Sequence, residues 1–217
     1  MSRPKCWPPY VTYLSAPSHT KCLTKEQLEA IRKKNDELDQ IPADAAQLPC
    51  TLVRITPISD PAHPANGQYG LFAAKHLKPG SFILLYLGSV QPGSEPAPPV
   101  GPSSSETAAA RSSDYELWLD KESAVAVDAE RRGNEARFVN DYRGVKDRPN
   151  AEFREVWSVR HRERCMAVFV LPEGKNRKAK ARPDGGIAKG HEILVSYGKG
   201  FWAHRIAARP EETTRGE

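Results

Sequence analysis

The stretch that decides the fold of this chain reads Gly133-Asn134-Glu135-Ala136-Arg137-Phe138-Val139-Asn140. It is a short apolar core segment that carries amide and guanidinium side chains. A second stretch lies further on and reads Gly190-His191-Glu192-Ile193-Leu194-Val195-Ser196-Tyr197-Gly198, a strand-like run that ends on an aromatic hydroxyl and a glycine. Neither stretch has the pattern of a phosphate, metal or nucleophile site. Taken alone, the first also fits a polar turn stabilised by asparagine side chains.

Two shorter motifs precede these stretches. The first reads Asn66-Gly67-Gln68-Tyr69-Gly70-Leu71-Phe72-Ala73, a glycine-rich turn that lets a ligand approach the backbone closely. The second, Tyr86-Leu87-Gly88, ends an apolar run that opens after the turn signal Lys78-Pro79-Gly80. On its own, the first motif fits any hairpin, and Tyr86 fits an aromatic residue at the end of a strand. Their order along the chain gives them their weight.

Taken together, the four motifs resemble those of SET-domain protein lysine methyltransferases. The residues from Val127 to Asn140 are similar to the family pattern iDA…GN.aRFiNH, and the second stretch resembles GEEL.fDYG. The resemblance covers roughly Thr51 to Trp202. It implies a mainly β fold, a β-rich α+β SET domain of small curved sheets. In that fold the segments around Asn140 and Tyr197 meet in a knot-like C-terminal crossing.

The resemblance also implies a binding site for S-adenosylmethionine. Asn140 is expected to bond the methionyl amine through its amide, and the backbone of Asp141 is expected to meet the adenine. The glycine-rich turn is expected to hold the methionyl part through main-chain groups. The full set of residues assigned to the cofactor is Gln68, Tyr69, Gly70, Arg137, Phe138, Asn140 and Asp141.

The same resemblance predicts Tyr197 as a catalytic residue, with Tyr86 lining the active site. The Tyr197 phenol is expected to align a lysine amine with the sulfonium methyl, in an in-line displacement that needs positioning more than acid–base power. A lysine must first lose its proton, so activity is expected to rise at alkaline pH. Val195, Phe201 and Trp202 are assigned to the substrate channel. Val195 stands where the family often carries Phe or Tyr, so mono-methylation need not be enforced, whereas Phe201 and Trp202 fit core packing equally well.

Several positions depart from the family pattern, and they support a second hypothesis. In that hypothesis the chain is a catalytically weak SET module that acts as a chromatin or protein-binding adaptor. Retention of Asn140, Tyr86 and Tyr197 favours the enzyme instead. The departures are Gln68, Leu85, Asp141, Tyr142, Arg143 and Ser196.

The sequence divides the chain into three parts. Residues 1–49 form an N-terminal extension that is distinct from the rest of the chain, residues 50–205 the SET domain, and residues 206–217 a frayed tail. Within the extension, Thr24-Lys25-Glu26-Gln27 fits a capping box and the apolar residues recur at helical spacing, which predicts a helix over residues 25–38. Residues 91–113 are rich in Pro, Ser, Gly and Ala and are predicted to be a flexible insert.

Composition bounds the remaining possibilities. The 217 residues, 39% of them hydrophobic, suit one domain. The sequence contains no apolar run long enough for a membrane span and no secretory signal at its start, so an intracellular protein is expected. The nucleus is the expected compartment, with the cytoplasm as the alternative. Zinc is not expected, because the four cysteines show no CxxC-type pair and are predicted to be free thiols.

The expected partner is a protein substrate, with a histone tail first and a lysine of a non-histone protein close behind. The net charge is +5, and positive charge is concentrated in residues 175–182. That run fits either a solvated hairpin loop or a weak contact with DNA or a nucleosome. No aromatic residue interleaves these charges, so base stacking is not indicated.

Overall fold

The computed structural model of the chain describes residues 3–93, 113–172 and 185–198. Short strands dominate these residues, with one α-helix, α1, at Lys25–Arg32 and one 3₁₀ turn, η1, at Glu135–Phe138. The strands are β1 Thr12–Tyr13, β2 Ser18–His19, β3 Asp39–Ile41, β4 Val53–Pro57, β5 Tyr69–Ala73, β6 Phe82–Tyr86, β7 Ser89–Pro92, β8 Glu116–Asp120, β9 Val125–Asp128, β10 Arg132–Gly133, β11 Asn140–Asp141, β12 Ala151–Ser158, β13 Glu163–Val170 and β14 Leu194–Val195.

These strands form small sheets, as predicted. The largest two have four strands each, in the orders β3-β12-β13-β6 and β2-β7-β9-β8. The pairs β4-β5, β1-β10 and β11-β14 stand beside them. The long β12–β13 hairpin is the centre of the first sheet, and most of its β13 residues, including Cys165, are buried. The mainly β fold expected from the sequence is therefore confirmed.

One hydrophobic cluster joins strands of several sheets and includes residues of both decisive stretches, such as Phe138 and Val195, and a second, smaller cluster lies in the first sheet. Leu71, Ile83 and Ile193 are fully buried within the larger cluster. Gly88 shows how closely the backbones pack, because a Cβ there would lie 2.4 Å from the carbonyl oxygen of Asp128. Only glycine fits such an approach. The glycine of the Tyr86-Leu87-Gly88 motif is therefore required by the fold.

The N-terminal residues are built into the sheets, where the sequence predicted a segment distinct from the rest of the chain. Strands β1 and β2 pair with β10 and β7, and β3 pairs with β12. The capping box is present, since the Thr24 hydroxyl accepts from the Gln27 amide and the Gln27 side chain accepts from the Thr24 amide. The helix ends at Arg32 rather than at Leu38, because the chain must turn into β3.

The predicted crossing of the Asn140 and Tyr197 segments is present as a parallel pair. Asn140 aligns with Leu194, and Asp141 aligns with Val195. The Tyr142 amide extends this pairing by donating to the Val195 carbonyl at 3.0 Å. Directly before β14, the Ile193 amide donates to the carbonyl of Leu71 in β5. The two decisive stretches thus meet directly beside the glycine-rich turn.

Some predictions fall on residues outside the described ranges. These are the central part of the insert predicted at 91–113, the basic run 175–182, the tail, and the channel residues Phe201 and Trp202. Within the part of the chain that the structure describes, no helix has the length and apolar character needed to cross a membrane.

Candidate active site

A cavity of about 310 Å³ opens beside the crossing of β11 and β14, and we call it the Asn140 cavity. One wall is the loop before β5, with His63, Pro64, Ala65, Gly67, Gln68 and Tyr69. The opposite wall comes from η1, β11 and the end of the chain's last described segment, with Arg137, Phe138, Asn140, Asp141, Arg143 and Tyr197. Pro8, Tyr10, Asp114 and Tyr115 complete the rim.

The Asn140 side chain has a defined orientation in this cavity. Its amide nitrogen donates to the Glu192 carboxylate at 2.8 Å and to the Tyr69 carbonyl at 3.3 Å. Both partners are acceptors only, so the NH₂ group must face them. The amide oxygen of Asn140 is therefore the atom that this side chain can offer to a ligand in the cavity, and it suits a donor such as an ammonium group.

Gly70 makes room for the carboxylate that orients Asn140. A Cβ at this position would lie 2.5 Å from Oε1 of Glu192 and 2.9 Å from the Phe72 ring. The Glu192 side chain is only 8% exposed. Gly70 itself does not line the cavity, unlike the other residues that the sequence assigned to the cofactor. Gly70 contributes by leaving space for the Glu192 carboxylate behind the cavity wall.

Tyr197 lines the cavity, and two hydrogen bonds hold it. Its hydroxyl donates to the Val139 carbonyl at 2.7 Å, and its backbone amide donates to the Asp141 carboxylate at 2.7 Å. Since the hydroxyl proton is committed to Val139, the phenol oxygen can approach a ligand amine only as an acceptor. A neutral amine can donate an N–H to such an oxygen and keep its lone pair free.

Tyr86 lies behind the cavity rather than in its lining. Its side chain is buried, and its hydroxyl donates to the Tyr115 carbonyl at 2.8 Å. Burial, with a further contribution from Tyr197, raises the pKa of Tyr86 well above its ordinary value. Tyr86 therefore stays protonated near neutral pH and does not act as a base. It supports the position of Tyr115 on the rim.

Arg137 and Phe138 connect the cavity to the N-terminal segment. Arg137 is buried, donates through Nε to the Ala129 carbonyl at 2.9 Å, and stacks 4.4 Å from the centre of the Tyr115 ring. Phe138 makes edge-to-face contacts with Tyr69 and with Trp7. The position of the cavity wall thus depends on a residue near the start of the chain.

The remaining predicted channel residue lies elsewhere. Val195 is fully buried in the core and does not line the cavity. Conversely, His63, Tyr10 and Asp114 line the cavity although the sequence did not predict them there. Tyr10 lay in a stretch rich in proline and aromatic residues. Nothing in the local sequence of His63 signals its role.

The departures from the family pattern have structural roles here. Leu85 is buried in the core, where the family usually has an acidic residue. Asp141 holds the Tyr197 amide and also forms an ion pair with Arg143 at 2.9 Å. Arg143 lies over the Tyr142 ring, and the Ser196 hydroxyl accepts from the Gly198 amide. Asp141, Arg143 and Ser196 thus form hydrogen bonds and an ion pair at the segment that carries Tyr197.

The chemistry of the site comes from amide, phenol and main-chain groups. Across the described residues there is no group of three or more His, Cys, Asp or Glu side chains that could hold a metal ion. The hydrogen-bond acceptors of the site suit an organic cation with an amine end: an oriented amide oxygen, a phenol oxygen, and a buried carboxylate behind them. The fold is small and rich in β-strands, and it brings two C-terminal segments together beside this cavity. These two features together indicate the class of protein.

Comparison with known families names that class. The SET domain model matches residues 68–198, which is more than half of the chain. The chain therefore belongs to the SET-domain family. No curated protein sequence matches it.

Solved structures resemble this chain at low identity, with TM-scores below 0.5. A structure of the polycomb repressive complex 2 of Chaetomium thermophilum matches 70% of this chain and 16% of the chain in that structure, with 19% identity and a TM-score of 0.45. The structure of ctPRC2 in an autoinhibited conformation, bound to S-adenosylmethionine, matches 73% of this chain and 17% of the chain in that structure, with 18% identity and a TM-score of 0.45. A humanized mutant of the Chaetomium complex bound to the inhibitor GSK343 matches 69% and 15%, with 19% identity and a TM-score of 0.44. This chain spans less than a fifth of each of those chains.

Proposed function

We propose that this chain is an S-adenosylmethionine-dependent protein-lysine N-methyltransferase that acts on a histone or another nuclear protein. The observation that carries the proposal is the Asn140 cavity, in which the amide of Asn140 and the phenol of Tyr197 line one space. Membership of the SET-domain family supports the same conclusion. The choice of a histone tail as substrate, and of the nucleus as compartment, rests on what is usual in this family.

The residues of the cavity fit S-adenosylmethionine. Its amino-acid end carries an ammonium group, which donates hydrogen bonds only and is matched by the amide oxygen of Asn140. The Glu192 carboxylate behind Asn140 adds a favourable negative charge at short range. Gln68 and Tyr69 are exposed residues on the same wall.

When bound, the cofactor supplies a methyl group on a positively charged sulphur, which a neutral amine can accept. The protein contributes orientation. The phenol oxygen of Tyr197 accepts a hydrogen bond from the incoming lysine amine and directs the nitrogen lone pair, while the Val139 carbonyl fixes the ring. The lysine amine must arrive without its proton, so the rate is expected to rise with pH up to the range where lysines titrate.

The first test is calorimetric titration of S-adenosylmethionine into the whole chain. We expect micromolar binding, and we expect Asn140→Ala to weaken it at least about tenfold, because a hydrogen bond to a charged group is lost. Tyr197→Phe should bind the cofactor nearly as well as the unmodified chain. In an assay with labelled cofactor and core histones, Tyr197→Phe should transfer methyl groups about a hundredfold more slowly.

A different outcome would favour the adaptor. If the unmodified chain binds no cofactor while its fold is intact by circular dichroism, the enzyme proposal is wrong. The chain would then be the catalytically weak module that the departures around Asp141 also allow. Cofactor binding without transfer to histones would retain the enzyme and redirect the search to non-histone proteins.

A further inference from the structure

His63 is a buried histidine in the cavity wall to which the proposed chemistry gives no role. Its side chain is 8% exposed, and its Nε2 lies 3.0 Å from Oε2 of Glu192. Its other ring nitrogen, Nδ1, accepts a hydrogen bond from the Ala65 amide at 3.0 Å. A nitrogen that accepts cannot carry a proton, so the proton of the neutral ring is on Nε2 and is donated to Glu192.

Glu192 connects His63 to Asn140 in the cavity. One of its carboxylate oxygens receives His63, and the other receives the amide nitrogen of Asn140. Its backbone is fixed separately, because the carbonyl of Glu192 accepts from the Asn150 side chain at 2.8 Å. Only the side chain of Glu192 is therefore left to change its conformation, and hydrogen bonds with His63 and Asn140 restrain its carboxylate from two sides.

His63 also shapes the loop that forms one wall of the cavity. Its carbonyl accepts from the Asn66 amide, its own amide donates to the Asp60 carbonyl, and its ring accepts from Ala65. The loop residues Ala65, Gly67 and Gln68 line the cavity. One side chain therefore connects this loop to the C-terminal segment across 129 positions of sequence.

We propose that His63 is a positioning residue that acts through Glu192 to orient the Asn140 amide toward the amine end of the cofactor. The proposal rests on the function proposed above and adds a residue to it. The route through Glu192 ends at Asn140, so it changes the affinity for the amino-acid end of the ligand. Any effect of His63 on the rest of the cavity passes through the loop that its Nδ1 holds.

Two substitutions separate the two ring nitrogens. His63→Gln keeps a donor at the place of Nε2 and preserves the contact with Glu192. His63→Asn keeps an acceptor at the place of Nδ1, and so preserves the loop bond to Ala65 while losing Glu192. His76→Asn is the matched control, because His76 is exposed and its ring bonds the Gly185 carbonyl, away from the cavity lining.

The probes are S-adenosylmethionine and 5′-methylthioadenosine, which keeps the adenosine and the sulphur but lacks the amino-acid end. By calorimetry, His63→Asn should weaken S-adenosylmethionine about tenfold and leave 5′-methylthioadenosine within about twofold. His76→Asn should match the unmodified chain for both ligands. His63→Gln, which keeps the donor to Glu192 but loses the loop bond to Ala65, should bind S-adenosylmethionine more tightly than His63→Asn does. Equal loss of both ligands in His63→Asn, or loss of neither, would overturn the proposal.

A measurement without ligand separates this proposal from the function itself. The side-chain amide signals of Asn140 in a ¹⁵N-labelled chain report its hydrogen bonds directly. They should shift in His63→Asn and stay in place in His63→Gln. If the unmodified chain binds no cofactor, the methyltransferase fails, and an unchanged Asn140 signal in His63→Asn would then overturn the positioning role as well.

Discussion

At the scale of single residues, the cavity depends on an absent side chain as much as on those present. Gly70 sits in β5 with an ordinary strand conformation, so its freedom of φ is not what matters. What matters is the carboxylate of Glu192, which occupies the space that a Cβ would take. The sequence pattern identified the glycine, and the structure supplies the reason for it.

We therefore expect Gly70→Ala to displace Glu192 and to release the Asn140 amide. Overpacking of this kind costs about 1–3 kcal/mol of the free energy of unfolding. Cofactor affinity should fall by about tenfold, since the amide oxygen loses its fixed direction. Thermal unfolding and calorimetry of the variant measure the two effects.

A double-mutant cycle shows whether the effect on the ligand passes through Glu192. Glu192→Ala removes the carboxylate and is itself expected to weaken cofactor binding. If Gly70→Ala acts by displacing that carboxylate, the double variant should bind no worse than Glu192→Ala alone. Fully additive losses would contradict this account and would indicate a second effect on the turn before β5.

At the scale of elements, the pairing of β11 with β14 brings Asn140 and Tyr197 into one site. The strands are two residues each, too short to hold by their ladder alone. Asp141 reinforces them, because its carboxylate accepts the Tyr197 amide directly after β14. The position where the family usually carries histidine thus has a defined task in this chain.

We expect Asp141→Ala to loosen the segment that carries Tyr197. An unsatisfied amide costs about 1–3 kcal/mol, and a displaced phenol costs about ten- to a hundredfold in the rate at saturating cofactor. Hydrogen exchange at the Tyr197 amide should be slow in the unmodified chain and fast in this variant. Asp141→Asn keeps an acceptor oxygen and should retain most of both properties. If it behaves like Asp141→Ala, the ion pair with Arg143 is the main contribution instead.

The elements also show where sequence reasoning stops. The crossing of the two decisive stretches was predictable through the family resemblance, because each stretch carries the family pattern in consecutive residues. The end of α1 at Arg32 was not, since the chain leaves the helix to pair β3 with β12, more than a hundred residues away. The contact between His63 and Glu192 was not predictable for the same reason. Their contact joins positions 129 residues apart, and no local pattern records it.

At the scale of the whole molecule, several groups that ionise at alkaline pH are held in their neutral forms. Burial raises the pKa of the Cys50 thiol from 9.0 to about 11, and it raises the pKa values of Cys165, Tyr86 and Tyr13 as well. For each group the folded chain keeps its proton at a pH where the unfolded chain has lost it. The free energy of unfolding must then fall as pH rises.

For Cys50 the stabilisation is complete below pH 9.0, its ordinary pKa, and is lost as pH rises to about 11. A shift of this size corresponds to about 3 kcal/mol. Urea unfolding at pH 8 and pH 10.5 should show the loss, and Cys50→Ser should reduce it. Cys22→Ser is the control, because Cys22 is exposed and its substitution should leave the pH dependence unchanged.

The same titration limits the proposed reaction. Deprotonation of the substrate lysine favours a rate that rises toward pH 10, whereas the free energy of unfolding falls over the range from 9 to 11. We therefore expect a rate maximum near pH 9 to 10, with a falling limb set by unfolding. Far-ultraviolet circular dichroism recorded across the same pH series should lose its signal along with the rate, and Cys50→Ser should move both falling limbs to higher pH. A rate that declines while the fold is intact would instead assign the falling limb to ionisation within the Asn140 cavity.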